Sequence, residues 1–265
     1  KQRAGDALVG RLAQPSDVGP EPMADVTTVR GHGRLPSDLA GELMDVLAEE
    51  PSIVLCDLHG IAATSAVAEV FAPVAPYLAH WPGTVVVACV DDRRMRDRVL
   101  TAGAAQRLLI DESAESALDE ARRRVEPVQH AAISLSPLLT ASRDARRFVT
   151  RTLLDWKLPR LVAPASLVVS ELVTNSIVHA ITVIDLTLSV AHDKLRIAVH
   201  DHGGGSPHVH EEDHGQMLGG RGLMVVQAFT CCWGVFPGRG HGKTVWAVTD
   251  QDQGPSQSQR SRSLS

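Results

Sequence analysis

The pattern of apolar residues changes character near residue 126, and that change constrains the fold more than any other feature of the chain. Before it, apolar runs of strand length alternate with helical stretches. Ser52–Leu58 (SIVLCDL), Thr84–Val90 and the short Arg107–Ile110 read as buried strands, because apolar residues fill consecutive positions there. A helix capped by Ser37 fits through Glu49, with Leu39, Leu43, Val46 and Leu47 at helical spacing. Further helices fit about Ser65–Trp81, about Asp92–Ala102 and onward from Ser113. Strands alternating with helices imply βαβ units and a mostly parallel sheet.

After residue 126 the order is different. Helices are expected over about Ser142–Trp156 and Ala165–Ala180, and then Thr182–Val190 and Leu195–His200 alternate as half-buried strands around a turn at His192-Asp193-Lys194. A Gly/His-rich loop (Gly203–Gly220), a helix at about Leu223–Phe229 and the strands Cys231–Phe236 and Thr244–Val248 complete the pattern. Antiparallel strands with helices to one side make an α+β two-layer sandwich. At roughly 100–200 residues per domain, 265 residues suggest two domains. The reading is a disordered tail over 1–24, an α/β domain over 25–125, a linker over 126–137 between Pro127 and Pro137, an α+β domain over 138–250 and a polar disordered tail over 251–265.

Composition narrows the function. A net charge of −5 lacks the basic footprint of a nucleic-acid binder. No uninterrupted apolar run approaches the roughly 20 residues of a membrane span, and the N-terminus lacks a secretory pattern, so a cytoplasmic location is expected. Cys56, Cys89, Cys231 and Cys232 have no metal-site or disulfide-framework spacing and read as reduced core residues.

The chemistry concentrates in the second half. Glu171 and Asn175 stand four residues apart on a predicted helix and project from one face, with His179 a further turn along; Leu167, Val168, Leu172 and Val178 are expected to supply the buried side. A carboxylate and a carboxamide on so apolar a helix need partners. The strand Leu195–His200 runs into Asp201-His202-Gly203-Gly204-Gly205, where the glycines leave backbone space for a flat ring and Asp201 can accept a hydrogen bond from an exocyclic amine. Gly219-Gly220-Arg221-Gly222-Leu223 opens a helix whose free N–H groups and dipole suit phosphate, with Arg221 adding a charge-assisted bond. Gly242-Lys243-Thr244-Val245-Trp246 enters the last strand, placing Thr244 beside the Asp201 strand with a hydroxyl for the same ring.

Each of these signals is weak alone, but their order and spacing are specific. The run Val168-Val169-Ser170-Glu171-Leu172-Val173-Thr174-Asn175, with His179-Ala180 after it, resembles the N-box of the GHKL ATPase superfamily. Gly219–Leu223, Trp233-Gly234-Val235 and Gly242–Trp246 are similar to its anti-sigma factor serine-kinase branch. The resemblance covers about 138–250 and implies ATP with Mg²⁺. It implies Glu171 as general base, Asn175 as Mg²⁺ ligand and Asp201 as adenine reader, with Gly203, Gly205, Gly220 and Gly222 as lid hinges and phosphate cradle. His208, His210 and His214 fall in that lid; HxHxxxH can hold Zn²⁺, but no cysteine or rigid scaffold accompanies it, and a polar lid is the simpler reading.

In the first half, Val54-Leu55-Cys56-Asp57-Leu58-His59-Gly60-Ile61 resembles the strand and turn of STAS domains, the fold of anti-sigma factor antagonists. That family's D-S-[ST]-G run falls, without gaps, on Ser65-Ala66-Val67-Ala68, with Ala66 at the phosphoacceptor position; a one-residue shift brings Ser65 or Thr64 near it and the glycine is missing either way, so the resemblance extends to the fold and leaves phosphorylation of this half open. Thr64 and Ser65 otherwise read as a helix cap. The implied activity is transfer of the ATP γ-phosphate to a serine of a separate STAS-type antagonist, with a sigma factor or a second copy of the chain as further partners. The alternative is a catalytically silent, ATP-dependent module that sequesters a sigma factor or another regulator.

Overall fold

The computed structural model describes residues 25–31, 36–59, 61, 70–101, 108–203, 221–238 and 242–251. The expected tail over 1–24, nearly all of that over 251–265, the Thr64–Ser65–Ala66 segment and the loop carrying Gly205, His208, His210, His214 and Gly220 lie outside the described residues.

The first half is a parallel sheet in the order β1-β2-β3-β4, built from β1 (Val26–Arg30), β2 (Ile53–Asp57), β3 (Val85–Cys89) and β4 (Leu108–Asp111). Helices α1 (Pro36–Ala48), α2 (Ala75–His80, after a 3₁₀ turn at Ala72–Val74), α3 (Arg93–Thr101) and α4 (Ala114–Arg124) accompany the strands. Ser113 caps α4, accepting from the Ser116 amide at 3.4 Å. The consecutive apolar residues of β2 and β3 serve two cores, because strand side chains alternate between faces. Val54, Cys56, Val86 and Ala88 face α1–α3, whereas Ile53, Leu55, Val85 and Val87 face Ala117 and Ala121 of α4. All four cysteines are free, and burial pushes the Cys56 thiol up to about 12, an inert core group.

The second half is an antiparallel sheet in the order β5-β6-β7-β9-β8. Its strands are β5 (Gln129–Leu135), β6 (Ile184–Ala191), β7 (Lys194–Asp201), β8 (Cys232–Pro237) and β9 (Lys243–Asp250). One face carries α5 (Ala141–Asp155), α6 (Val162–His179) and α7 (Arg221–Phe229). One expectation is corrected here. The stretch read as a linker holds β5, which pairs with β6 along its whole length; its exposed edge-strand pattern hid it. Strand β1 also went unread, being five residues of which Val29 alone is buried.

The expected separation into two domains meets a further difference. The second face of the β5–β9 sheet is covered by α1 and α2, so the two halves share a core. Tyr77 of α2 packs edge-on against Phe236 at 5.2 Å and Trp246 at 5.0 Å between ring centroids. Gly234 lies opposite Trp246 because a Cβ there would stand 2.6 Å from the indole. The layers therefore run α4, parallel sheet, α1–α3, antiparallel sheet, α5–α7.

This second cover explains a charge inside a strand. Arg196 of β7 is 1 % exposed; its Nη1 pairs with Glu50 Oε2 at 2.8 Å, and its guanidinium lies 5.6 Å from the Tyr77 ring centroid. Ser189 donates to the same Glu50 oxygen at 2.7 Å.

Helix α6 buries Ala165, Val168, Val169, Leu172, Val173 and Ser176, a stripe at i, i+3, i+4 and i+7. Leu167 and Val178, expected on that side, are 46 % and 65 % exposed. The helical stretch Pro159–His179 is also long and apolar enough, by length and composition, to cross a membrane, although no unbroken apolar run marks it in the sequence. Its stripe packs on the sheet as a core helix does.

Candidate functional site

Glu171 and Asn175 flank the buried stripe of α6, both half-buried and one turn apart. The start of α7 lies against the first of them: a Cβ on Gly222 would sit 2.6 Å from Glu171 Oε2. Only glycine lets the α7 backbone approach the carboxylate so closely. One turn further on, the Asn175 Nδ2 is buried without a hydrogen-bond partner among the described residues. A buried amide donor left unpaired costs about 1–3 kcal/mol unless something fills it. An unpaired donor of this kind calls for an acceptor beside α6.

The far end of α6 meets the end of β7. Gly203 packs so closely on Ala180 that a Cβ would stand 3.1 Å from the Ala180 Cβ and 3.3 Å from Asp201 Oδ1. Asp201, the last residue of β7, is 2 % exposed. Its Oδ1 accepts from the Gly203 amide at a long 3.4 Å. Its Oδ2 has Lys243 Nζ at 3.2 Å as an ion partner and no hydrogen bond among the described residues. Along α6 the order is therefore Glu171 at the start of α7, Asn175 next, and the Asp201 carboxylate beyond Ala180. At 1.5 Å per residue, Glu171 and Ala180 stand roughly 14 Å apart along the axis.

The register of β7 with β9 decides the remaining assignments. Asp201 lies opposite Lys243, and His200 opposite Thr244. Directly opposed residues share a face, and neighbours in a strand do not. Lys243 thus joins Asp201 on the α6 side. Thr244, expected to offer its hydroxyl to the adenine, is 4 % exposed on the other face, where its Oγ1 shares a hydrogen bond with His200 Nδ1 at 3.0 Å. That expectation is corrected: Thr244 stands beside the Asp201 strand but is turned away from Asp201. Gly242 sets the register. Its φ is +105°, and a Cβ there would stand 2.0 Å from the Asp201 carbonyl oxygen. Gly242→Ala is expected to cost about 1–3 kcal/mol or more through positive-φ strain and this clash, visible as a lowered urea midpoint; an unchanged midpoint would contradict the packing.

A separate cavity of about 460 Å³ opens on the opposite face of the sheet, between the end of α1 and the residues Asp185, Arg196, His200, His202 and Thr244. It lies away from Glu171 and Asn175, so volume alone does not locate the chemistry. Burial pushes the His200 imidazole below its ordinary range, and the neighbouring His202 ring, 4.5 Å away between centroids, pushes the same way. Burial works against the charge on Asp185. Hydrogen bonds from Ser134 at 2.5 Å and His202 at 2.7 Å outweigh it and hold the carboxyl below its usual range.

One comparison bears on these residues. Residues 135–260 match the family model of the histidine kinase-like ATPase domain. No curated protein gives a significant match to the chain. The matched region spans β5's last residue, α5–α7 and β6–β9, and so contains Glu171, Asn175, Asp201, Gly203, Gly222 and Thr244. Domains of this family bind ATP, generally with Mg²⁺, and the match supports a nucleotide-dependent, kinase-like regulator. The arrangement fits such a ligand: an acceptor-rich carboxylate deep at one end, a helix start at the other and an unpaired carboxamide between. Asn175 is the side chain that would hold Mg²⁺; the amide oxygen is a hard donor, and the metal would neutralise phosphate charge. Of the expected site, Gly205 and Gly220 lie outside the described residues, and Arg221 is placed at the start of α7 by its backbone alone. Lys243 is the residue that sequence reasoning missed. The signal lay in the parity of the β7–β9 ladder, which the sequence leaves open until Gly242 fixes it.

Proposed function

We propose that the chain is an ATP-dependent serine/threonine protein kinase of the anti-sigma factor type, which transfers the γ-phosphate of ATP to a serine of a separate STAS-type antagonist. The observation that carries the reading is the order of groups along α6. Asp201 accepts the exocyclic amine of the adenine at one end, Asn175 stands midway, and Glu171 lies at the start of α7, whose free N–H groups and dipole favour phosphate. Glu171 draws the proton from the acceptor serine hydroxyl as its oxygen attacks the γ-phosphorus and the bond to the β-phosphate oxygen breaks. Gly203, Gly205, Gly220 and Gly222 form the hinges and cradle of the phosphate loop, with Arg221 as a charge partner.

The parallel β1–β4 sheet, with its alternating helices, supports a STAS-like reading of 25–125. Docked on the ATPase sheet, that half acts as a regulatory domain. Such a regulator works in the cytoplasm, with a sigma factor and a second copy of the chain as further binding partners.

The test is incubation with γ-labelled ATP, Mg²⁺ and candidate STAS proteins. Label on a partner serine is the expected result. ATP binding without label on any protein would favour the silent, sequestering module instead. Gly222→Ala gives a finer check. The added methyl meets the flexible end of Glu171, so the carboxylate swings away at little cost to the fold. Transfer is expected to fall by about 10²-fold, of the order of a lost general base, with the melting midpoint nearly unchanged. Full activity would place Glu171 outside the reaction.

A further inference from the structure

Where the two halves meet, the cavity of about 460 Å³ is walled by the end of α1 on one side and by β5, β6, β7 and the start of β9 on the other. That volume is in the range of a small-molecule site. The lining is acidic, with carboxylates from Asp45, Glu49, Glu50 and Asp185. Among the described lining residues Arg196 is the one permanent cation, and Glu50 Oε2 already holds it at 2.8 Å. His130, His200 and His202 add no fixed charge, and burial pushes the His200 imidazole below its ordinary range. For Asp185, burial opposes the charge, but hydrogen bonds from Ser134 and His202 outweigh it. Two further observations point to a positive ligand. Helix α1 ends at this cavity, presenting the negative end of its dipole with no basic residue in its last turn. Glu50, 7 % exposed, lines the cavity with its Oε1 lacking a hydrogen-bond partner among the described residues.

We propose that this cavity binds a small aliphatic di- or polyamine, which bridges the two halves of the chain. Asp45 and Glu49 are four residues apart at the end of α1, so both turn to one side and receive one ammonium group. Asp185 of β6, on the opposite wall, receives the other. Carboxylates on both walls suit two separated charges better than one. Ala48, Ala198 and Thr187 also line the cavity and offer apolar surface to the methylene chain between them. A metal ion is the poorer match, because among the described residues no three His, Cys, Asp or Glu side chains gather closely enough to hold one. The site lies on the other face of the sheet from Glu171 and Asn175, and it stands whether or not those residues bind a nucleotide.

The test is calorimetry on the full chain with 1,3-diaminopropane, 1,4-diaminobutane, 1,5-diaminopentane and spermidine, with butylamine as the singly charged control. One-to-one binding is expected, the best of the four binding about tenfold or more tighter than butylamine, the scale of one hydrogen bond between charged groups. Asp185→Asn and Glu49→Gln are each expected to weaken that amine about tenfold. Asp193→Asn, which removes an exposed carboxylate outside the cavity, is expected to change nothing. Glu49 is itself exposed, so Glu49→Gln keeps the test decisive even where Asp185→Asn fails to fold. A folded chain that binds none of the four amines overturns the proposal. So does equal affinity for butylamine, or an Asp193→Asn loss as large as that of Glu49→Gln, since either reduces the effect to diffuse attraction towards an acidic surface.

Discussion

Glu171→Gln is expected to bind Mg–ATP as the unaltered chain does and to transfer phosphate about 10²–10⁴-fold more slowly. The amide is isosteric, so its contact with the start of α7 at Gly222 survives and its surroundings keep their shape. What the amide lacks is a lone pair basic enough to take the serine proton. Ground-state binding and transition-state stabilisation therefore separate: the affinity stays, and the turnover falls. Single-turnover transfer to a STAS partner, paired with calorimetry, reads both numbers. Equal losses of affinity and rate would mean that Glu171 shapes the cleft and takes no part in the reaction.

The second large effect concerns the contact between the two halves. Glu50→Ala is expected to cost about 3–5 kcal/mol, because it leaves Arg196 charged and buried without its partner. Arg196 is 1 % exposed, its Nε and Nη2 already lack hydrogen-bond partners among the described residues, and Ser189 would lose its acceptor as well. Glu50 adopts a left-handed φ of 58°, a strain that alanine shares, so the backbone term cancels. Removing both charges is a different experiment. The double variant Glu50→Ala/Arg196→Met is expected to recover most of the loss, since no uncompensated charge remains and the methionine keeps the packing over Tyr77. Chemical denaturation of the three variants checks this. A Glu50→Ala chain as stable as the parent would mean that water reaches Arg196 and the halves are not sealed together.

Much of this architecture was legible because single elements carried their own signals. The buried strands β2 and β3 announced themselves by consecutive aliphatic residues, and α6 by Val168 and Leu172 around Glu171 and Asn175. What the sequence hid depends on partners far along the chain. β5 is an exposed edge strand between prolines, and only its pairing with β6 makes it a strand. Leu167 and Val178 look like core residues until the helix packs and its stripe is seen to run through Val169 and Val173 instead. Arg196 sits where an alternating strand predicts solvent, because α1 and α2 from the other half cover that face. Thr244 and Lys243 exchange roles for a related reason. One residue of register moves every side chain to the opposite face, and that register follows from a backbone contact at Gly242 that composition does not announce.

The site shows the same division. Asp201 with Gly203 was readable as a motif pair, and Glu171 and Gly222 as members of two separate motifs whose meeting was not. That Asp201 would be buried beside a cation yet short of hydrogen bonds was not, since it depends on how two strand ends approach.

Titration calorimetry of the folded chain with Mg–ATP, repeated on Asp201→Ala and Asn175→Ala, tests whether these side chains form one nucleotide cleft. Saturable one-to-one binding is predicted, with Asp201→Ala weakened by about tenfold to a hundredfold, the scale of a buried hydrogen bond to a charged group. Asn175→Ala is predicted to lose the dependence on Mg²⁺ while remaining folded. A folded chain that takes up no Mg–ATP, or an Asp201→Ala variant that binds it as tightly as the parent, would contradict the account.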